Sequence, residues 1–514
     1  MKVHLMYPDR DFDFVFDKEN KLTAHETILI QDLELDTLFD AMAGGDKLVL
    51  EVVKKAVFES LQNRDEILYR QKILADCIKN PGVVRALYDI ANEAIKKKRE
   101  NWWGIAGIFL SSTLSSSISL LQMFAETLKK FRAIVDDNAS RFESEGFTTL
   151  FTMIQQELDD EFFSTVETHL NELKFRDGIL ISSELGEYNQ GINYVLRRQQ
   201  NKKRHWWKWQ FAPSMHINPR DEGGCNDLAK RKDRAINLIT NALAQSSDHV
   251  LSFFVMLQTE LAFYMGCLNL YDGLYEKAEP VCFPMPFDCG ERRYSVLGLY
   301  DVSLALILKN KVVGNDVKAD NKSLVIITGA NQGGKSTFLR SAGQAQLMMQ
   351  CGMFVPAEAF SADICNGIFT HYKKEEDSDM KSGKLDEELG RMNDIADLVR
   401  PNSMILFNES FSATNEREGS EIGRQIVRAL LERNIKVFFV SHLYDFSHGF
   451  FEQKMSDAFF LRAERQPDGH RTFRLIEGEP LQTSFGEDIY FKIFKSNAHT
   501  FLKDPGKTNA QLGG

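Results

Sequence analysis

Three clusters in this chain of 514 residues have the types and spacing to do chemistry. The first is Gly329-Ala330-Asn331-Gln332-Gly333-Gly334-Lys335-Ser336, a G-x-x-x-x-G-K-[ST] loop followed by Thr337. Glycines let successive backbone N–H groups curl around an anion, and the N-terminus of a following helix adds its dipole. In such a loop Lys335 would neutralise the β- and γ-phosphates of a nucleotide, and the Ser336 hydroxyl would ligate Mg²⁺. The second cluster is Asn408–Glu409. The usual pair at such a position is Asp then Glu: the first holds Mg²⁺ and its waters, the second polarises the attacking water. Here the first is an amide, so the base is present and the metal shell is weakened. The third is Ser441–His442, where a histidine can contact a γ-phosphate or hold water. A fourth stretch could bind rather than react. In residues 199–211, Lys202, Lys203, Arg204 and Lys208 interleave with Trp206, Trp207 and Trp209. Cations pair with phosphates and indoles stack on bases. Equally, the indoles could dock on the protein while the cations face water.

Each cluster needs an element to position it. Leu324–Thr328 is an apolar, β-branched run and predicts a buried strand ending at the loop, with a helix from Thr337 onward. MILFNES and KVFFVSH are apolar runs of strand length, separated by the helical pattern EGSEIGRQIVRALLERN. This alternation predicts a largely parallel, covered sheet whose strand ends carry Asn408, Glu409 and His442. Upstream, residues 31–175 carry apolar residues at helical spacing, as in QDLELDTLFDAMA and DEILYRQKILADCI. The period changes at residues 178–198, which read as a small hairpin around Gly186, Asn189 and Gly191. A polar connector, 213–226, leads to further helices up to about Ala278.

The length implies at least two domains. The divisions read from composition are an N-terminal segment 1–30, a helical domain 31–279 with the hairpin and Trp/Lys loop at 178–226, a nucleotide-binding domain 280–500, and a flexible tail 501–514. A net charge of −11 means that any nucleic-acid contact must be a local patch. Seven scattered cysteines without a C-x-x-C pair argue for a reducing, cytoplasmic setting, and the acidic, aromatic N-terminus does not read as a signal peptide. Residues 101–125 lack charge and are long enough to span a bilayer, but seven Ser and Thr fall in their middle. They read as a buried helix, not a membrane span.

Taken together, these motifs resemble the MutS family of DNA mismatch-repair ATPases. TGANQGGKSTFLR is close to that family's TGPN-x-GGKST loop, and GMFVPAE (352–358) matches its G-x-[FY]-V-P-A motif. VVGNDV (312–317) resembles the segment beside the adenine, which implicates Asn315. IFTHYKKEEDSDMKSGK (368–384) resembles the signature region, which implicates Ser382 and Gly383. NESFSATNEREG and SHLYDF stand where the family has DE-x-GRGT-x-x-x-DG and THY-x-EL. The resemblance is specific over 280–495 and looser over the helices.

It implies a helical lever/core domain followed by an ABC-type P-loop ATPase domain (α + α/β). It implies ATP and Mg²⁺ as ligands, and a homodimer in which Ser382 completes the partner's site. Phosphates would lie on Gly329–Thr337, Mg²⁺ on Ser336 and Asn408, with Glu409 as base and His442 as γ-phosphate sensor. The expected cargo is structured or branched DNA, with a repair protein as a possible partner. The sequence departs from the family at Asn408, at Leu385–Glu387 after the signature, and in having no room before its helices for a mismatch-reading domain. A nucleotide-gated ATPase that grips a protein and no DNA is the rival reading, and a membrane-associated ABC-type ATPase spanning at 101–125 is a weaker one.

Overall fold

The computed structural model describes residues 1–15, 22–102, 110–176, 178–198, 215–218, 220–374, 383–466 and 470–481. In chain order, helices α1 (Ala24–Asp32), α2 (Leu35–Ala43), α3 (Lys47–Glu59) and α4 (Arg64–Lys79) precede α5 (Pro81–Trp102), α6 (Leu110–Asn138), α7 (Glu145–Glu157) and α8 (Asp160–Glu172). An antiparallel hairpin, β1 (Ile181–Leu185) and β2 (Gly191–Leu196), leads to α9 (Glu222–Glu276). The chain then continues through β3 (Met285–Phe287), β4 (Tyr294–Leu299), α10 (Val302–Ile307), β5 (Asn315–Lys318), β6 (Leu324–Gly329), α11 (Lys335–Gln350), β7 (Ala359–Asp363) and β8 (Ile368–Tyr372). It closes with α12 (Lys384–Leu398), β9 (Met404–Asn408), α13 (Glu416–Glu432), β10 (Lys436–Val440), α14 (Tyr444–Glu452), β11 (Ala458–Arg465) and β12 (Arg471–Glu477).

These elements form two compact units. One comprises Met1–Asp13 and Asp76–Ala262, the other Phe14–Ala75 and Phe263–Gly514. Among its described residues the first is mainly helical, with the hairpin and the non-helical segment 1–13 added. Phe124 meets Phe254, and Phe131 meets Phe253 edge-on. The buried Glu260 carboxylate accepts from the backbone N–H of Leu5 and Met6, which fastens the N-terminal segment. The division differs from a cut at residue 279, because the helices of 24–59 lie in the second unit. Periodicity tells that a helix has an apolar face, not which core receives it.

The second unit holds the chemistry. Its main sheet has the order β12-β11-β6-β10-β9-β8. All neighbours are parallel except the β11–β12 edge pair. β6, β9 and β10 are buried on both faces, as their unbroken apolar runs require. Ile326, Phe407, Phe439, Val427 and Phe446 are among the residues that fill the core on one face. A second sheet, β3-β7-β4-β5, is mostly antiparallel and was not legible in the alternating pattern.

Helix α11 is buried along almost its whole length. Its polar residues are consumed by ties to neighbours. Gln344 donates to the Leu33 carbonyl (2.9 Å), Gln350 donates to the Ser60 hydroxyl (2.8 Å), and Arg340 pairs with Glu34 and Asp301. QDLELDTLFDAMA, which reads as one helix, is broken at Glu34, where φ is 50°. The Glu34–Arg340 pair and the Leu33–Gln344 bond hold that break in place.

Residues 103–109 lie outside the described residues. From Leu110 onward the segment is part of α6. Among the described residues one helix, Glu222–Glu276, is long and apolar enough to cross a membrane, and 61% of its apolar window is buried within the protein. All seven cysteines are free thiols.

Helix α13 packs onto the loop after β9 through Gly419. A Cβ there would stand 2.2 Å from the Phe411 carbonyl oxygen. Alanine is better than glycine in a helix by about 1 kcal/mol, but overpacking against backbone costs about 1–3 kcal/mol. Gly419→Ala should therefore destabilise the protein in urea unfolding. A variant as stable as wild type, or more so, would show that α13 does not press on this loop.

Candidate active site

Parallel pairing sets the position of the site. Val440 is in register with Ile327 and with Asn408, and Asn408 with Tyr372. The carboxyl ends of β6, β10, β9 and β8 therefore share one edge, where ligands bind in open α/β sheets. β6 ends at Gly329 with φ 106°, and a Cβ there would meet the backbone N of Ala463 at 2.8 Å. Gly334 has φ 88° and immediately precedes α11. Between them the loop wraps a cavity of about 380 Å³ lined by Asn331, Gln332, Gly333, Gly334, Lys335, Ser336, Thr337, Glu409 and His442. The first turn of α11 points its unpaired N–H groups at this space, which suits an anion.

Lys335 is buried, and its ammonium donates to the carbonyls of Gly329 (3.0 Å) and Ala330 (2.9 Å). Burial pushes its pKa down to about 8, against the pull of Glu409 and with the push of Arg471. The Ser336 hydroxyl donates to Asn408 Oδ1 at 2.9 Å. On the other side of the loop, Glu409 takes a left-handed backbone (φ 56°), and its carboxylate accepts from His442 Nε2 at 2.7 Å. That bond is the largest cause holding the Glu409 pKa below the usual carboxylate range, ahead of an opposing burial effect.

No cluster of three or more His, Cys, Asp or Glu side chains able to hold a metal occurs among the described residues. Ser336 and Asn408 instead offer two neutral oxygens beside the loop cavity. That set fits Mg²⁺, which keeps several waters and takes phosphate oxygens as ligands.

The sequence motifs do not reveal everything around this site. Asn315, expected beside an adenine, is buried, and its amide ties two edges together. It donates to the Phe473 carbonyl (3.3 Å) and accepts from Leu475 N (2.7 Å). It lines a second, largely apolar cavity of about 410 Å³ that adjoins the loop at Gln332, Gly334 and Thr337. The other walls include Tyr300, Leu308, Val312 and Phe473. Phe473 is half exposed and left-handed (φ 61°), a conformation an aromatic residue rarely holds. No local pattern announces it, because β12 reaches the site as the antiparallel edge strand. A third cavity, about 790 Å³, is shared by Ser336 and Asn408 with Asp32 and Glu34 from the α1–α2 break. Burial raises the Asp32 pKa, opposed first by Thr370.

Gly383 is the residue before α12. Ser382 lies outside the described residues, as do Lys202, Lys203, Arg204, Trp206, Trp207 and Lys208.

Two family models match the chain: the MutS2 N-terminal domain over residues 62–277 and MutS domain V over residues 325–494. The chain is a MutS-like protein. It is 28% identical over 221 residues to the DNA mismatch repair protein MutS of Leuconostoc citreum, covering 42% of this chain and 25% of that protein. It is 34% identical over 216 residues to the protein of that name from a Thermotoga species, covering 38% and 27%. It is 29% identical over 167 residues to MutS protein homolog 4 of Mus musculus, covering 32% and 17%. The chain thus spans about a quarter of the length of the curated bacterial relatives it matches.

In this MutS-like chain a buried histidine, His371 on β8, contacts the residue that follows Glu409. Its Nδ1 is 2.7 Å from the Ser410 hydroxyl and its Nε2 is 2.9 Å from the Glu388 carbonyl. Burial pushes its pKa from 6.5 down to about 4. Between those values the unfolded chain binds a proton that the folded protein refuses. Stability from this group is complete above pH 6.5, falls as pH drops toward 4, and is level again below. The total is at most about 3 kcal/mol. In urea titrations from pH 7.5 to 3.5, His371→Gln should show a shallower loss of stability than wild type across that window. Parallel curves would place the acid sensitivity elsewhere.

Proposed function

We infer that this chain is an ATPase that binds ATP and Mg²⁺ in the loop cavity and hydrolyses the γ-phosphate. One observation carries the reading. Ser336–Asn408 and Glu409–His442 are hydrogen-bonded pairs that flank one anion-binding helix start, a metal side and a base side. Loop amides and the α11 N-terminus bind the phosphates. Lys335 exchanges its two loop carbonyls for phosphate oxygens. Glu409, kept ionised by His442, takes the proton of the attacking water, and His442 holds the γ-phosphate side of that water. Mg²⁺, when bound beside Ser336 and Asn408, neutralises charge on the β- and γ-phosphate oxygens. The apolar cavity against Phe473 accepts the purine. Supporting the assignment, domain V of the MutS family matches this part of the chain.

The same resemblance supports an ABC-type arrangement in a homodimer, with Ser382 and Gly383 completing the partner's site and nucleotide closing the pair to move helical levers. The relatives' printed names speak of DNA mismatch repair, and we extend this to DNA binding, to structured or branched DNA without mismatch readout, in the cytoplasm. A second reading, an ATP-gated clamp for a protein partner, draws on the net charge of −11.

The two readings separate on DNA. Binding through residues 199–211 should weaken with salt at about 0.9 logarithmic units per phosphate contact. Replacing Lys202, Lys203, Arg204 and Lys208 by Ala should flatten that slope. Absence of binding to duplex, branched and single-stranded DNA, with or without ATP, favours the protein clamp.

The reaction itself is tested at the metal side. An amide at 408 keeps an acceptor oxygen and loses a full negative charge, so Mg²⁺ is held less well. Each tenfold in rate is about 1.4 kcal/mol of barrier, and one weakened outer contact is worth about one or two such steps. Asn408→Asp should raise kcat by about tenfold or more and lower the Mg²⁺ requirement. Glu409→Gln should abolish hydrolysis while ATP still binds. Steady-state ATPase against Mg²⁺ for the three proteins decides it. An unchanged Asn408→Asp variant would remove residue 408 from the metal position.

A further inference from the structure

We propose that His371 is a positioning residue that ties the loop carrying Glu409 to helix α12, so that the seating of α12 sets where the catalytic carboxylate points. The proposal deepens the ATPase reading and rests on it for the role of Glu409.

The loop cannot hold its own shape. Glu409 and Phe411 are both left-handed, with φ of 56° and 61°. Neither is glycine, so such a backbone persists only where neighbours impose it. The residue between them, Ser410, is buried, and its hydroxyl lies 2.7 Å from His371 Nδ1 and 2.6 Å from the His371 carbonyl. Phe411 stacks on the same imidazole, with centroids 5.3 Å apart at 22°.

The other ring nitrogen belongs to a different element. Nε2 faces the Glu388 carbonyl of α12 at 2.9 Å. A carbonyl only accepts, so in the neutral ring Nε2 carries the hydrogen, and the single Ser410 hydroxyl hydrogen faces two acceptors, Nδ1 and the His371 carbonyl. The ring thus meets α12 at one nitrogen and the loop at the other.

Two more contacts join the same partners. The Glu388 side chain is buried, and the backbone of Phe411 hydrogen-bonds to its carboxylate. Arg391, one turn further along α12, donates to the Tyr372 carbonyl at 2.8 Å. A histidine that only filled space would need neither nitrogen placed. This one uses both, on two elements, next to the proposed base. α12 starts at Lys384, just after the Ser382–Gly383 pair assigned above to the partner's site. Seating that pair on a second copy would thus be felt at Glu409.

The test uses the full chain. Ser410→Ala deletes one oxygen and cuts the loop arm. His371→Gln retains an amide donor for Glu388 and loses the acceptor for Ser410. Each should lower kcat about tenfold, the scale expected when a reacting group is displaced by a fraction of an ångström, with the KM for ATP within twofold. The double variant should be no worse than the worse single one. Hydrogen exchange, read without nucleotide, should quicken together in 384–392 and 409–411 in both single variants.

The proposal is overturned by unchanged kcat per folded protein, even with a lower melting temperature. It is equally overturned by additive losses in the double variant, or by faster exchange confined to the loop. If wild-type protein shows no ATP hydrolysis, the ATPase reading fails, and the exchange data alone still decide whether α12 and the loop are tied. Should His371→Gln not fold, Ser410→Ala decides by the same two readouts.

Discussion

Burial on both faces of β6, β9 and β10 leaves their ends as the only places on those strands where polar side chains can stand. The strands are parallel and in register, so the ends fall on one edge of the sheet. That constraint gathers Gly329, Asn408, Glu409 and the segment after Val440, which lie far apart in the chain. It also fixes the direction of α11. A helix that follows a buried strand through a tight glycine turn must run back over the sheet, with its N-terminus at the strand ends. The loop at 329–337, the Glu409 carboxylate and the Asn408 oxygen are thus brought together by one packing decision. The ties made by Gln344, Gln350 and Arg340 serve the same end, since they keep α11 from sliding.

Electrostatically, the site is built around a buried cation. Lys335 stays close to two carbonyls and one carboxylate, and burial still lowers its pKa to about 8. A shift of that size corresponds to about 3 kcal/mol of disfavoured charge. Polyphosphate offers several negative oxygens, whereas the carboxylate acting on Lys335 is that of Glu409 and residue 408 is neutral. The surroundings of Lys335 are therefore short of negative charge, which suits an anionic ligand. A carboxylate at 408 would relieve Lys335 before any ligand arrived and would hold Mg²⁺ more firmly. The amide leaves more of that work to the ligand.

Contiguous signals made part of this legible. The phosphate loop must be written in one stretch, because its amides come from consecutive residues, and 329–337 reads directly. The three buried strands read from apolar runs of strand length. What escaped comes from partners distant in sequence. The Leu33–Glu34 break depends on Gln344 and Arg340, some three hundred positions away. Phe473 reaches the apolar cavity on an edge strand with no motif. Asn315 was singled out by resemblance, yet its amide is engaged with the backbone of β12, so it shapes the wall of the cavity. His371 stands in a stretch noted for its likeness to a signature. Its own significance appears only when β8 pairs with β9 and brings it under Ser410.

The loop from Glu409 to Phe411 shows how such long-range contacts become function. Two left-handed non-glycine residues cost on the order of 1–3 kcal/mol each, more than the usual 0.5–1.5 kcal/mol of a single hydrogen bond. One contact could not hold the loop. Three directions are closed instead. The Glu409 N–H is taken by the Val440 carbonyl at 2.9 Å, Gly419 lies against the Phe411 carbonyl, and Ser410 is fixed to His371. The first restraint comes from the sheet and the second from α13. The third runs through His371 to α12, which packs Met392 into the same core.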